Sequence, residues 1–177
     1  YLQRSVKMEF GSLTDQQPIG HHPIRPWVAE VLPDAFPDWR CEVVALDIER
    51  TFWEKATILH TEFHRPTEKP TPARFSRHYA DTASLAMHSS ARLAIDQHDL
   101  RNRVVAWKSH FFGSSWASYE QAKPGTFRLV PTLERQAALR RDYQSMRDMY
   151  LVEPASFDEI LATLSVLENR INETGER

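Results

Sequence analysis

Cysteine is almost absent from this chain. Cys41 stands alone, so an internal disulfide framework and a multi-cysteine zinc site are both excluded, a usage that fits a reducing cytoplasm. Apolar runs long enough to span a bilayer are missing, and the N-terminus carries no signal-peptide pattern. Charge of one sign is not in excess either. A formal net charge of -2 argues against a purely basic nucleic-acid or membrane-surface module, though not against a local basic groove. There is no Gly-rich phosphate loop and no Gly-x-Ser-x-Gly, so P-loop and serine-hydrolase readings have nothing to stand on. What is there is 177 residues, 41% hydrophobic and 26% charged, which is an ordinary soluble globular composition with enough length for a sizeable core.

Patterning predicts an α+β chain, with a strand-bearing N-terminal third followed by a mainly α-helical bundle. Val6, Met8 and Phe10 alternate with Lys7 and Glu9, which predicts a strand over 5–10. Pro18, Pro23, Pro26, Pro33 and Pro37 then predict loop from 11 to 37, with one short element over 27–32. A second strand is expected over 41–47, with Cys41 as a small buried residue at its start. Thr51-x-x-Glu54 has the form of a capping box and predicts a helix from 51 to about 65, striped by Phe52, Ala56, Leu59 and Phe63. Further helices are expected over 74–88, from 91 or 96 to 111, and over 132–150. The stretch 117–130 reads as loop with a short strand at 126–130. Ser156-x-x-Glu159 is a second capping box, opening a helix striped by Phe157, Ile160, Leu161, Leu164, Leu167 and Ile171.

Charged residues concentrate around two of these helices. Lys55 lies in the first turn after the Thr51 capping box, and Arg74, Arg77, His78 and Asp81 lie on the next helix. Such a set is suited to gripping phosphate and a metal. The residues also have plain structural readings: a surface lysine for Lys55, and an i,i+4 ion pair between Arg77 and Asp81. Arg74 and Arg77 fit phosphate oxygens or serve as partners of Asp81. Glu54 has a sufficient role in the capping box. His60 and His64 share a helix face at zinc-compatible spacing, but no third ligand is evident and the motif is not His-Glu-x-x-His. Solvent-facing histidines are the simpler reading there, and for His21 and His22. Lys108, Lys123, Arg128, Arg140 and Arg141, with Trp107, Trp116 and Tyr119, either line an RNA groove or divide between helix surfaces and core.

Glu49-Arg-Thr-Phe-Trp-Glu-Lys55, Leu59-His60 and Ser76-Arg-His-Tyr-x-Asp81 resemble the AbiEii/AbiGii-type nucleotidyltransferase toxin family, within the DNA-polymerase-β-like superfamily. The resemblance continues through Trp107-Lys108, Phe111-Phe112, Asp142-Tyr143-x-x-Met146-x-x-Met149, Pro154-x-x-Phe157, Leu167-Glu168 and Ile171-Asn172. It implies that residues 1–50 are the C-terminal part of a nucleotidyltransferase core, the remnant of its sheet, and that 51–177 are a helical domain. It also implies a Mg²⁺-dependent bacterial toxin of a toxin–antitoxin or phage-defence system, transferring nucleotides from NTP to an RNA acceptor such as tRNA. A cognate antitoxin is its expected partner.

By that resemblance Lys55 contacts nucleotide phosphates, Asp81 orients the site or holds Lys55, and Arg74 and Arg77 assist in nucleotide binding. Glu9, between apolar neighbours, takes the place of the superfamily's third carboxylate, toward metal or acceptor hydroxyl; its plain alternative is a solvent-facing strand glutamate. The family pattern opens with Gly-Ser and then Asp-x-Asp, and this chain has no Asp-x-Asp. Gly11-Ser12 with Asp15 lacks the second carboxylate and lies on the wrong side of the first strand. The catalytic segment is therefore expected upstream of Tyr1, and the chain alone is expected to be inactive; a degenerate relative is the other possibility. The rival reading of the whole is a non-catalytic helical module that binds an antitoxin or RNA.

Overall fold

The computed structural model describes residues 8, 10, 11 and 15–174. It divides into two compact units, one over 15–47 and one containing everything from 48 onward. Of the strand expected over 5–10, only Met8 and Phe10 are described; both are exposed and outside regular structure, and Glu9 lies outside the described residues.

The smaller unit is built on an antiparallel hairpin of β1 (Ile19–Ile24) and β2 (Cys41–Leu46), in register from Ile19 opposite Leu46 to Ile24 opposite Cys41. β1 corrects the expectation of loop there. Pro23 sits in a two-stranded sheet, where every strand is an edge and a missing N–H is tolerated. Between the strands come α1 (Trp27–Val31), as predicted, and a 3-10 turn over Pro33–Ala35. Cys41 is exposed rather than buried, because neither face of this small sheet is closed over at its end.

The larger unit is helical: α2 (Ile48–Phe63), α3 (Ser76–Met87), α4 (Ser89–Ala94), α5 (His98–Phe111), α6 (Leu133–Ser145) and α7 (Phe157–Glu173). α2 packs on α3, α4 and α5, while α3 also meets α6 and α7. The stripes read from sequence form the core. Phe52, Trp53, Ala56 and Leu59 of α2 are wholly buried, as are Tyr79 of α3 and Leu164 and Ile171 of α7. Each large side chain among them contributes about 1.5–3 kcal/mol. The Trp53 indole N–H donates to the Ala94 carbonyl at 2.9 Å, which satisfies its polar edge inside that core.

Two local expectations fail for physical reasons. α2 begins at Ile48, so Thr51 is inside the helix and the capping box there does not form. Arg50, fully buried, instead donates to Glu54 at 3.0 Å across one turn, a bond that supports the turn ahead of Thr51. The strand expected over 126–130 is also absent, because its backbone amides pair with side chains. Phe127 N–H donates to Asn172, Arg128 N–H to His60, and Leu129 and Val130 N–H to Glu168. With those amides satisfied, no neighbouring strand is needed. The helix expected from 91 or 96 to 111 takes the later start, as α5, with a separate α4 ahead of it, and the one expected to Tyr150 ends at Ser145 and continues as a 3-10 turn over Arg147–Met149.

Candidate functional site

α2 and α3 lie against each other, and Lys55 of the first meets His78 and Asp81 of the second. Lys55 Nζ donates to Asp81 Oδ2 at 2.6 Å, and His78 Nδ1 lies 3.5 Å from the same ammonium. His78 and Asp81 are three residues apart on α3, so one helix face presents both. Asp81's ion-pair partner is therefore Lys55 across the interface, not Arg77 one turn back. Burial, joined by the charges of Lys55 and Arg77, pushes the His78 imidazole down to about 4. At neutral pH it is uncharged, with Nδ1 accepting from the ammonium.

On the other side, Lys108 of α5 enters the same electrostatic neighbourhood. Burial lowers its ammonium from the usual range; Glu54 opposes that shift, and Arg50 and Lys55 add to it. Among the described residues Lys108 makes no salt bridge, and its ammonium stands 5.5 Å from the centre of the Phe112 ring. Arg50, Lys55 and Lys108 thus surround Glu54, Lys55 is shared with Asp81, and the charge of Arg77 reaches His78 from the exposed side. This locally cationic cluster sits in a protein whose net charge is -2. The two half-buried ammonium groups of Lys55 and Lys108, with the exposed guanidinium of Arg77 beside them, are suited to phosphate oxygens.

Arg74 and Arg77 are exposed. Arg74 adopts a left-handed conformation (φ 62°), and its backbone amide donates to Asp142 Oδ1 at 2.7 Å. The Ser76 amide and hydroxyl donate to Asp142 Oδ2 at 2.9 and 2.6 Å. Burial opposes the Asp142 charge, but these bonds from Ser76 and Arg74 outweigh it and hold the carboxyl below its usual range. Asp142, from α6, thereby fixes the start of α3 and the direction in which His78 and Asp81 project.

His60 is not solvent-facing: it is fully buried. Its Nδ1 accepts from the Arg128 amide at 3.1 Å, and its Nε2 donates to the Ser118 carbonyl at 3.0 Å. Both ring nitrogens are used, and burial drives the imidazole to about 4. This leaves none for zinc. Among the described residues no group of three His, Cys, Asp or Glu side chains is arranged to hold a metal. Glu54 and Asp81 are each engaged by a cation, so these residues do not fit a magnesium cage.

The expected RNA groove divides. Arg128 pairs with Glu168 and Arg140 with Asp158, whereas Lys108, Trp116 and Tyr119 line one pocket. The sequence motifs that contain His78 and Asp142 assign neither of them a role. The i,i+3 spacing of His78 and Asp81 was a signal for the first; nothing local signalled the second.

The nucleotidyl transferase AbiEii toxin family, of type IV toxin–antitoxin systems, matches residues 1–163. No curated protein and no solved structure matches the chain. Coverage of all but the last turns of α7, with the matched stretch containing every member of the cationic cluster, settles the assignment: the chain belongs to the AbiEii family of nucleotidyl transferase toxins.

Proposed function

We propose that the helical unit grips the triphosphate of an NTP while its nucleotidyl group passes to an RNA acceptor such as tRNA. Lys55, and with it Arg77, neutralises phosphate charge, and Arg74 lies at the exposed start of the same helix. Asp81 positions Lys55, and His78 accepts from the ammonium without adding charge. Mg²⁺, when bound, would stabilise the attacking and leaving oxygens of the transfer, and its carboxylates would come from outside the described residues, with Glu9 the candidate in this chain. In this reading residues 1–50 belong to the nucleotidyltransferase core, and the antitoxin of the system is the toxin's counterpart.

One observation carries the proposal. Lys55 and Asp81 form a short ion pair between two helices although their side chains remain 26% and 46% exposed. A pair that open to solvent contributes about 0–1 kcal/mol to stability, so the ammonium stays available to an anionic ligand at little cost to the fold.

The test is transfer of labelled nucleotide to bulk RNA by full-length protein carrying Lys55→Ala or Asp81→Asn. A loss of about 100-fold or more is expected, the size of effect seen when one charge-stabilising donor is removed from an active site. Unchanged transfer and unchanged toxicity in both variants would leave the helical unit as a binding module only.

A further inference from the structure

A pocket of about 350 Å³ opens beside the cationic cluster, between α2, the end of α5 and the segment that follows it. That volume lies in the range of small-ligand sites. Its lining combines Ile58 of α2 with Lys108, Phe112, Ser114, Trp116 and Tyr119. Three aromatic rings and one ammonium thus surround a space large enough for a planar heterocycle. Lys108 belongs to both the pocket and the phosphate-facing cluster.

The rings are held in place before any ligand arrives. Arg65 lies 4.6 Å from the centre of the Trp116 ring, and Lys69 5.8 Å from it. Tyr119 donates its hydroxyl to the Phe112 carbonyl at 3.2 Å, which ties it to the end of α5. The adjoining Ser118, in a left-handed conformation (φ 48°), is bonded to buried His60 of α2. Stacking surfaces fixed in this way lose little freedom on binding.

We propose that this pocket is the base subsite for the nucleoside triphosphate whose phosphates the Lys55 cluster grips. The inference rests on the phosphate reading above and adds to it the place of the base. Stacking on Phe112, Trp116 or Tyr119 holds the heterocycle, and Lys108 marks the junction between base and phosphates. Recognition by π-faces tolerates any base, so the pocket by itself does not choose one.

Two substitutions at exposed positions test it without disturbing the core: Ser114→Trp, which fills the space, and Phe112→Ala, which removes a ring. Calorimetry on the full chain would compare an NTP with inorganic tripolyphosphate. Both variants are expected to weaken NTP binding at least about ten-fold while leaving tripolyphosphate binding unchanged; Lys55→Ala is expected to weaken both ligands. If Lys55→Ala weakens both ligands but Ser114→Trp and Phe112→Ala leave NTP affinity intact, the base subsite is refuted and the phosphate grip stands. If Ser114→Trp leaves NTP binding intact but slows transfer to RNA, the pocket serves the acceptor, and the proposal is likewise overturned. If Lys55→Ala moves neither ligand, both readings fall together.

Discussion

Asp81 contributes little to stability and, in the proposed role, much to function, a contrast that can be measured on one variant. Because its ion pair with Lys55 is partly open to water, Asp81→Asn is expected to cost less than about 1 kcal/mol in urea unfolding. The same variant is expected to lose about 100-fold or more in nucleotide transfer. A stability loss of several kcal/mol with transfer intact would reverse that assignment. Lys55 and Asp81 were legible in the sequence because each lies in a short motif on its own helix. Their bond was not, nor was the arrival of Lys108, since both depend on how α2, α3 and α5 meet. Cys41 was read as buried from the usual behaviour of a lone cysteine; the open end of a two-stranded sheet leaves it exposed. Ellman's reagent is therefore expected to titrate Cys41 without denaturant.

Helix ends show where local signals decide and where they do not. At Ser156 the box forms as read: its hydroxyl accepts from the Glu159 amide, and the Glu159 carboxylate accepts from the Ser156 amide at 2.7 Å. Ser156→Ala is expected to cost about 1 kcal/mol in thermal or urea unfolding. The same motif at Thr51 misled, because Ile48, Glu49 and Arg50 already follow Asp47 in helical geometry, and Glu54 is taken by buried Arg50. α3 has no side-chain cap of its own, and Asp142 of α6 supplies the acceptors for its start. Asp142→Ala removes a charged acceptor from three donors and is expected to cost about 1.5–3 kcal/mol. It should also loosen the geometry that presents Asp81, lowering transfer even where the protein stays folded. No periodicity in residues 74–88 contains that information, because the acceptor lies more than sixty residues away.

The larger unit carries acid sensitivity in its buried and half-buried imidazoles, His60 foremost, with His78 likewise held down to about 4. The His60 imidazole is neutral and fully bonded in the fold, with its pKa driven from the ordinary 6.5 to about 4. Above about pH 6.5 its contribution is complete. As pH falls from 6.5 toward 4 the unfolded chain takes up a proton that the folded one refuses, and stability declines. The loss from His60 is on the order of 3 kcal/mol, and His60→Phe, which removes its share of the titration, should make that part of the pH profile shallower while lowering stability throughout, His78 keeping its own share. Metal analysis of purified protein is expected to return no stoichiometric zinc, since both His60 nitrogens are committed. The core was legible from the stripes; the separate α4 was not, nor was the fastening of residues 126–130, because β-like residues there satisfy their amides on distant side chains. That fastening has a consequence for how the toxin comes into being. Glu168 follows Leu129 by 39 residues, and Asn172 follows Phe127 by 45. At ribosomal rates of about 5–20 residues per second, the segment waits about 2–9 s for its acceptors to be synthesised. A nascent chain stalled or clipped ahead of Glu168 leaves that segment unfastened, so α7 is the helix that completes the unit.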